Sequence, residues 1–183
     1  MSDVVDVRIE DRVAHVVLNR PDKRNAINLA MFDGLAEAGD RIIGDPSIRA
    51  VVLSGAGDSF CAGIDVTVMS EAGDAFANGG MKALEPSPAN RFQRAAWVWQ
   101  EVPVPVICAL HGVVFGGGLQ IALGADVRIA APAAQLSIME VKWGLVPDMA
   151  ITATARHIVP LDRLKELAFT GRIVDADEAR AVG

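Results

Sequence analysis

Two runs rich in β-branched and apolar residues, Val4 to Ile9 and Val13 to Leu18, flank the polar triplet Glu10-Asp11-Arg12. This pattern predicts a β-hairpin. The period then changes. Beyond the polar loop Asn19-Arg20-Pro21-Asp22-Lys23-Arg24-Asn25, Asn28 is placed to cap a helix. In that helix Phe32, Leu35, Ala36, Gly39, Ile42 and Ile43 recur at helical spacing and mark a buried face, and Gly44-Asp45-Pro46 ends it. Ala50 to Leu53 reads as a short buried strand entering Ser54-Gly55-Ala56-Gly57. Residues 70–90 are rich in Gly, Ala, Ser and Pro, as expected of a mobile connection.

Pro88 to Glu101 is a predicted helix with Phe92, Ala95, Ala96 and Trp99 on one face. Strands follow at Pro103 to Leu110 and Asp126 to Ala130, with a glycine-led turn and helix over 116–124 between them and a further helix at Leu161 to Ala168. Strands alternating with helices indicate an α/β fold, here one domain over 1–183. The last residues, Asp175 to Gly183, begin like an amphipathic helix with no cap or ending, so the expectation is a chain truncated at its C-terminus.

Length and charge narrow the function. The 183 residues suffice for one domain with a sizeable core. The 23 carboxylates outweigh 17 Lys and Arg to leave −6, which argues against nucleic acid as a partner but leaves room for an anionic ligand held by a few local cations. Cys61 and Cys108 lie far apart without CxxC spacing, so neither a disulfide framework nor a metal site is expected. The N-terminus carries no signal-peptide pattern and no apolar run reaches the ~18 residues of a membrane span. The expected compartment is the cytoplasm, with no membrane partner.

Two glycine clusters stand out: Phe60-Cys61-Ala62-Gly63-Ile64-Asp65, and His111-Gly112 with Gly116-Gly117-Gly118-Leu119-Gln120. Each follows a strand, and the second opens a helix. Glycines there let backbone approach a ligand closely, and a helix start offers free N–H groups. Such donors suit a developing oxyanion. Either cluster alone is as well read as tight packing at a turn. Neither is a Walker A or GxSxG motif. His15, His111 and His157 lack a nucleophile to serve as base, and Cys61 reads as a small packing residue.

The order of motifs in one chain is more specific. Asn19-Arg20-Pro21 with Asn25-Ala26, Ser54-Gly55 with Phe60 to Asp65, Gly112 with the triple glycine, Asp126, Glu140 with Gly144-Leu145-Val146-Pro147-Asp148, and Leu167 to Arg172 together resemble the crotonase (enoyl-CoA hydratase/isomerase) family. The resemblance implies a crotonase-like ββα spiral, lacking part of the C-terminal helical segment, and assembly as a homotrimer or hexamer. It also implies an acyl-CoA substrate whose thioester oxygen meets the N–H groups of Ile64 and Gly117. Coenzyme A would arrive as part of the substrate, with no separate cofactor.

Family hydratases place two glutamates around a water. Glu140 matches one, but Gln120 stands where the other is expected. An amide can orient a water yet cannot exchange a proton with it at neutral pH, so hydration is put in doubt. One carboxylate suffices to move a proton between α and γ carbons. Asp148, eight residues after Glu140, matches a second acid of some family isomerases, although a loop or capping role is as natural for an aspartate there. For coenzyme A the matching positions are Lys23, Arg24, Ala26, Ala62, Ile64 and Asp65. Met69, Phe92, Trp97, Val114, Trp143 and Leu145 are candidates for an acyl pocket or for plain core. The resulting expectation is an enoyl-CoA hydratase or isomerase working through a stabilised enolate. The alternative is a non-catalytic acyl-CoA-binding or assembly protein of the same fold.

Overall fold

The structure, a computed structural model, describes residues 3–68 and 81–183. Most of the glycine- and alanine-rich connection, and Met69, lie outside the described residues. Strands β1 (Val5–Glu10) and β2 (Val13–Leu18) form the expected hairpin, paired from Val5↔Leu18 to Glu10↔Val13. Asp11 and Arg12 alone make the turn, both at positive φ (48° and 67°), the backbone sense that matches the twist of the flanking strands. On β2, Ala14, Val16 and Leu18 are buried while the residues between them are half-buried.

β2 runs parallel to β3 (Ala50–Gly55), β3 to β4 (Val106–Leu110), and β4 to β6 (Val127–Ala130), giving one five-stranded sheet in the order β1-β2-β3-β4-β6. A second sheet joins β5 (Val113–Phe115), β7 (Gln135–Ser137) and β8 (Val174–Asp175). Its strands are only two or three residues long, too short for a hydrophobic period to register in the sequence.

Helix α1 (Leu29–Ile43) is capped by the Asn28 side chain, which accepts from Met31 N–H. Its buried stripe is Met31/Phe32, Leu35, Ala38/Gly39 and Ile42. The sequence reading placed Ala36 and Ile43 on that face, but Ala36 is half-buried and Ile43 exposed. These two are seven residues apart on the margin of the stripe, where the contact with α2 (Arg91–Glu101) no longer reaches.

Helix α2 starts at Arg91 rather than at Pro88. Asn90 and Gln93 form a reciprocal capping box that fixes the first turn. Helix α3 (Gly117–Gly124) is wholly buried, which explains its lack of an amphipathic pattern. The chain continues through a 3-10 turn at Glu140–Trp143, the short helix α4 (Ile151–Thr154), α5 (Leu161–Thr170) and α6 (Ala176–Ala181). The sequence reading found no cap for the last helix. The Asp175 side chain supplies one, accepting from Glu178 N–H.

Candidate active site

The segment 61–65 is held on both sides by backbone. Cys61 N–H donates to Val113 O and Phe115 N–H to Cys61 O (3.1 and 3.0 Å), joining it to β5. On the other side Ala62 N–H donates to Arg24 O, Ile27 N–H to Gly63 O and Asp65 N–H to Ile27 O (2.9, 2.8 and 2.9 Å). The two glycine clusters therefore become neighbours through β5, where Cys61 pairs with Val114, 53 residues further along the chain.

Glycine is required at the contact. Gly63 has φ +98°, and a Cβ there would lie 3.0 Å from Phe115 O. Gly116 has φ +52°, and its Cβ would lie 3.3 Å from Glu140 Oε1. A Cβ on Gly117, the first residue of α3, would sit 3.6 Å from Ile64 Cγ1. Among the described residues, no acceptor takes the N–H of Ile64 or of Gly117. Two unused backbone donors thus belong to adjoining segments, one of them at a helix start, where N–H groups lack intrahelical partners.

Beside them is a cavity of about 180 Å³. Phe32, Phe92, Ile64, Val68, Leu145, Val146 and Met149 form its apolar walls, and Gln120, Glu140 and Asp148 are its polar members. Phe32 and Phe92 meet edge to face, with centroids 5.2 Å apart. Gln120 Nε2 donates to Glu140 Oε1 at 2.6 Å, and Met149 N–H donates to Gln120 Oε1 at 2.8 Å. Glu140 is 6% exposed, and its Oε2 is buried without a partner among the described residues.

Burial raises the Glu140 pKa above the ordinary carboxylate range. The hydrogen bond from Gln120 works against this, and the charge of Asp148 adds to it. Asp148 stands at the mouth with one side open to solvent, and partial burial raises its pKa as well. The arrangement can accept and return a proton at one buried oxygen, next to two free N–H donors.

The sequence reading placed Glu140, Gln120, Ile64 and Gly117 in one site, and the fold brings them together. Lys23 and Arg24 lie exposed on the loop whose Arg24 carbonyl binds Ala62, with Ala26 half-buried behind them. The Asp65 carboxylate is occupied: it caps Thr67 and pairs with Arg20 Nη2 at 3.0 Å, and these bonds lower its pKa. Arg20 also donates to Ala26 O, a loop-locking role that sequence reasoning missed. The available signal was the place of Arg20 in the Asn19-Arg20-Pro21 motif.

Of the acyl-pocket candidates, Phe92 and Leu145 line the cavity. Val114 is core, Trp143 is exposed, and the Trp97 indole N–H donates to Glu101. Phe32, Val68 and Met149 were missed because each reads as ordinary core. Cys61 is a packing residue as expected: its thiol faces Asn25 O, and burial pushes its pKa up to about 12.

The family model described as Enoyl-CoA hydratase/isomerase matches residues 8–183. The chain belongs to that family. It is 34% identical over 170 residues to an enoyl-CoA hydratase of Mycobacterium tuberculosis, and 37% identical over 180 residues to the human mitochondrial Delta(3,5)-Delta(2,4)-dienoyl-CoA isomerase. These alignments cover 92% and 95% of this chain but 61% and 54% of the relatives.

Among solved structures, an enoyl-CoA hydratase from Mycobacterium tuberculosis superimposes with a TM-score of 0.81 at 33% identity, over 99% of this chain and 67% of that one. A family member from Thermobifida fusca, solved in complex with acetoacetyl-CoA, gives 0.83 at 28% identity over 98% of this chain and 71% of that one. The mixed α/β architecture is therefore the crotonase fold, aligned over about two thirds of each solved neighbour.

Proposed function

We propose that the protein isomerises an unsaturated acyl-CoA thioester by proton transfer within the enolate, and does not hydrate it. The observation that carries this reading is the Glu140–Gln120 pair. One carboxylate oxygen is buried without a partner among the described residues, and a glutamine amide stands where a two-carboxylate hydration site needs an acid. The resemblance to the dienoyl-CoA isomerase and the acetoacetyl-CoA complex of a neighbour support a CoA thioester as substrate.

In this mechanism the thioester oxygen lies against the N–H groups of Ile64 and Gly117. Glu140 Oε2 removes a proton from the acidified carbon, and the electron pair delocalises onto that oxygen as an enolate. The two backbone donors stabilise the charge as it develops, and they need no reorganisation to do so. Glu140, now protonated, returns the proton at the far end of the conjugated system. Its raised proton affinity suits a group that must both take and give a proton. Asp148, which also lines the cavity, would serve as a second acid for a longer conjugated chain. Lys23 and Arg24, exposed on the loop that bonds the 61–65 segment, would meet the nucleotide phosphates.

The M. tuberculosis relative favours hydration as the second reading. The two are separated by assaying 3-enoyl-, 3,5-dienoyl- and 2-enoyl-CoA. Isomerisation without hydration is expected, with Glu140→Gln lowering turnover by about 100-fold or more while acyl-CoA binding persists. Hydration of 2-enoyl-CoA lost in Glu140→Gln would establish the second reading. Binding without turnover of any of the three would leave an acyl-CoA-binding protein.

A further inference from the structure

We infer that Gln120 is a positioning residue for Glu140: it carries a hydrogen bond from the Met149 backbone into the carboxylate and selects the oxygen that faces the substrate. The inference rests on the reading of Glu140 as the acid/base. It differs from a role in which Gln120 touches substrate or holds a water.

The direction of the chain of bonds is dictated at its protein end. A backbone N–H can only donate, so Met149 N–H must meet Gln120 Oε1, as it does at 2.8 Å. The amide nitrogen then faces Glu140 Oε1, 2.6 Å away, and can only donate to it. Turning the amide over would set N–H against N–H and leave two buried donors unpaired. Both ends of a side chain that is 1% exposed are thus engaged by protein.

The carboxylate rotation is settled in the same way. Oε1 is occupied by Gln120 and lies where a Cβ on Gly116 would be 3.3 Å away. Oε2 remains without a partner among the described residues. The bond from Met149 also links Glu140 to the turn that carries Asp148 and the left-handed Ala150 (φ 67°), so the two cavity carboxylates are held in mutual register.

A glutamate at position 120 could still accept from Met149 N–H. Its other oxygen would stand about as close to Glu140 Oε1 as the amide nitrogen does, and the pair would have to share a proton. The glutamine gives a hydrogen bond to the working carboxylate without that coupling.

The charged surroundings are sparse enough for a titration to report this. Asp148 acts on Glu140 through space. Helix α3 carries no charged residue, and Lys142 on the turn itself is exposed. Helix α5, packed on the turn, carries Asp162, Arg163, Lys165 and Glu166, the last paired with Arg172. On α1 and α2, Asp33 and Arg91 pair with each other. Because the Gln120 bond favours the ionised form, its loss must raise the Glu140 midpoint.

The test uses the full chain with Gln120→Met, an unbranched side chain without the amide, and Gln120→Glu. Glu140 is titrated by the ¹³C shift of its carboxyl group, assigned against Glu140→Gln. This measurement needs no turnover. Gln120→Met is expected to move the midpoint to higher pH. It should also lower kcat at neutral pH by about 10-fold or more, with KM nearly unchanged. Gln120→Glu is expected to titrate in two coupled steps and to lose kcat as the shared proton leaves on the alkaline side.

A midpoint equal to that of the parent in either variant overturns the inference. So does a raised KM with an unmoved midpoint, which would mean that Gln120 contacts substrate. Should Gln120→Met fail to fold, Gln120→Glu decides alone. If the parent turns over no acyl-CoA but the midpoints move, the isomerase reading falls and the positioning role of Gln120 stands.

Discussion

At the scale of single residues, Glu140 concentrates a conflict between stability and use. A carboxylate with one oxygen buried and unpartnered destabilises the fold whenever it is ionised. Its pKa is raised in the folded protein, chiefly by burial, so the native state binds more protons than the unfolded chain as pH climbs from the ordinary glutamate value toward the raised one. Stability from this group is therefore present at acid pH and lost as pH rises through that window. Glu140→Gln removes the ionisable group while its Oε1 can still accept from Gln120. The variant should melt higher than the parent at pH 7.5, by a few °C, which corresponds to about 1 kcal/mol in a domain of this size. The advantage should shrink by pH 4.5. Differential scanning calorimetry at the two pH values checks this, and an advantage that grows toward acid pH would contradict the burial of an ionised carboxylate. Gain in stability with loss of activity is the expected signature of a group kept for chemistry.

At the scale of elements, the hairpin, α1, α2, α5 and the strands of the main sheet were legible because each is long enough to show a period or carries a cap such as Asn28. The second sheet was not, since Val113–Phe115 and Gln135–Ser137 are too short to show one, and the 3-10 turn bearing Glu140 has no sequence signature of its own. In the site, Ile64, Gly117, Gln120 and Glu140 could be named from motif order, whereas Phe32, Val68 and Met149 looked like any buried apolar residue. Close approach of elements was also invisible: Gly39 on α1 reads as one more position of the buried face, yet a Cβ there would lie 2.2 Å from Val98 Cγ2 on α2. The glycine sets how closely the two helices cross, and α2 carries Phe92 into the cavity. Gly39→Ala gains roughly 1 kcal/mol of helix propensity but forces overpacking that costs ~1–3 kcal/mol. The expected result is net destabilisation by about 1 kcal/mol in urea unfolding. Combining it with Val98→Ala should be less harmful than the sum of the two single changes, because the clash is removed. Strict additivity would show that the helices can separate at no cost.

At the scale of the whole molecule, the described residues contain no helix long and apolar enough to cross a membrane, and they leave one flank apolar. A cavity of about 610 Å³ lies away from the candidate site and is lined in part by β6, α5 and α6. Its wall includes Val127 and Ile129, which are 48% and 62% exposed on the outermost strand of the main sheet. An edge strand bearing exposed branched apolar residues is a surface that self-association would cover. Opposing this is the net charge of −6, which makes copies repel one another at low ionic strength. The balance should therefore depend on salt, because the screening length falls from roughly 20–30 Å near 0.01–0.02 M to about 8 Å at 0.15 M. Sedimentation equilibrium at micromolar concentration is expected to give a mass above the 19.3 kDa of one chain, rising with salt and consistent with the threefold assembly expected from the family resemblance. Ile129→Glu adds a charge to the apolar wall and should return the protein toward the monomer with its hairpin and cavity intact. Ile9, 37% exposed on the opposite edge strand, provides the comparison: if Ile9→Glu dissociates the assembly and Ile129→Glu does not, the contact lies on β1. A parent that sediments as a monomer at both salt concentrations would show that neither edge is an interface.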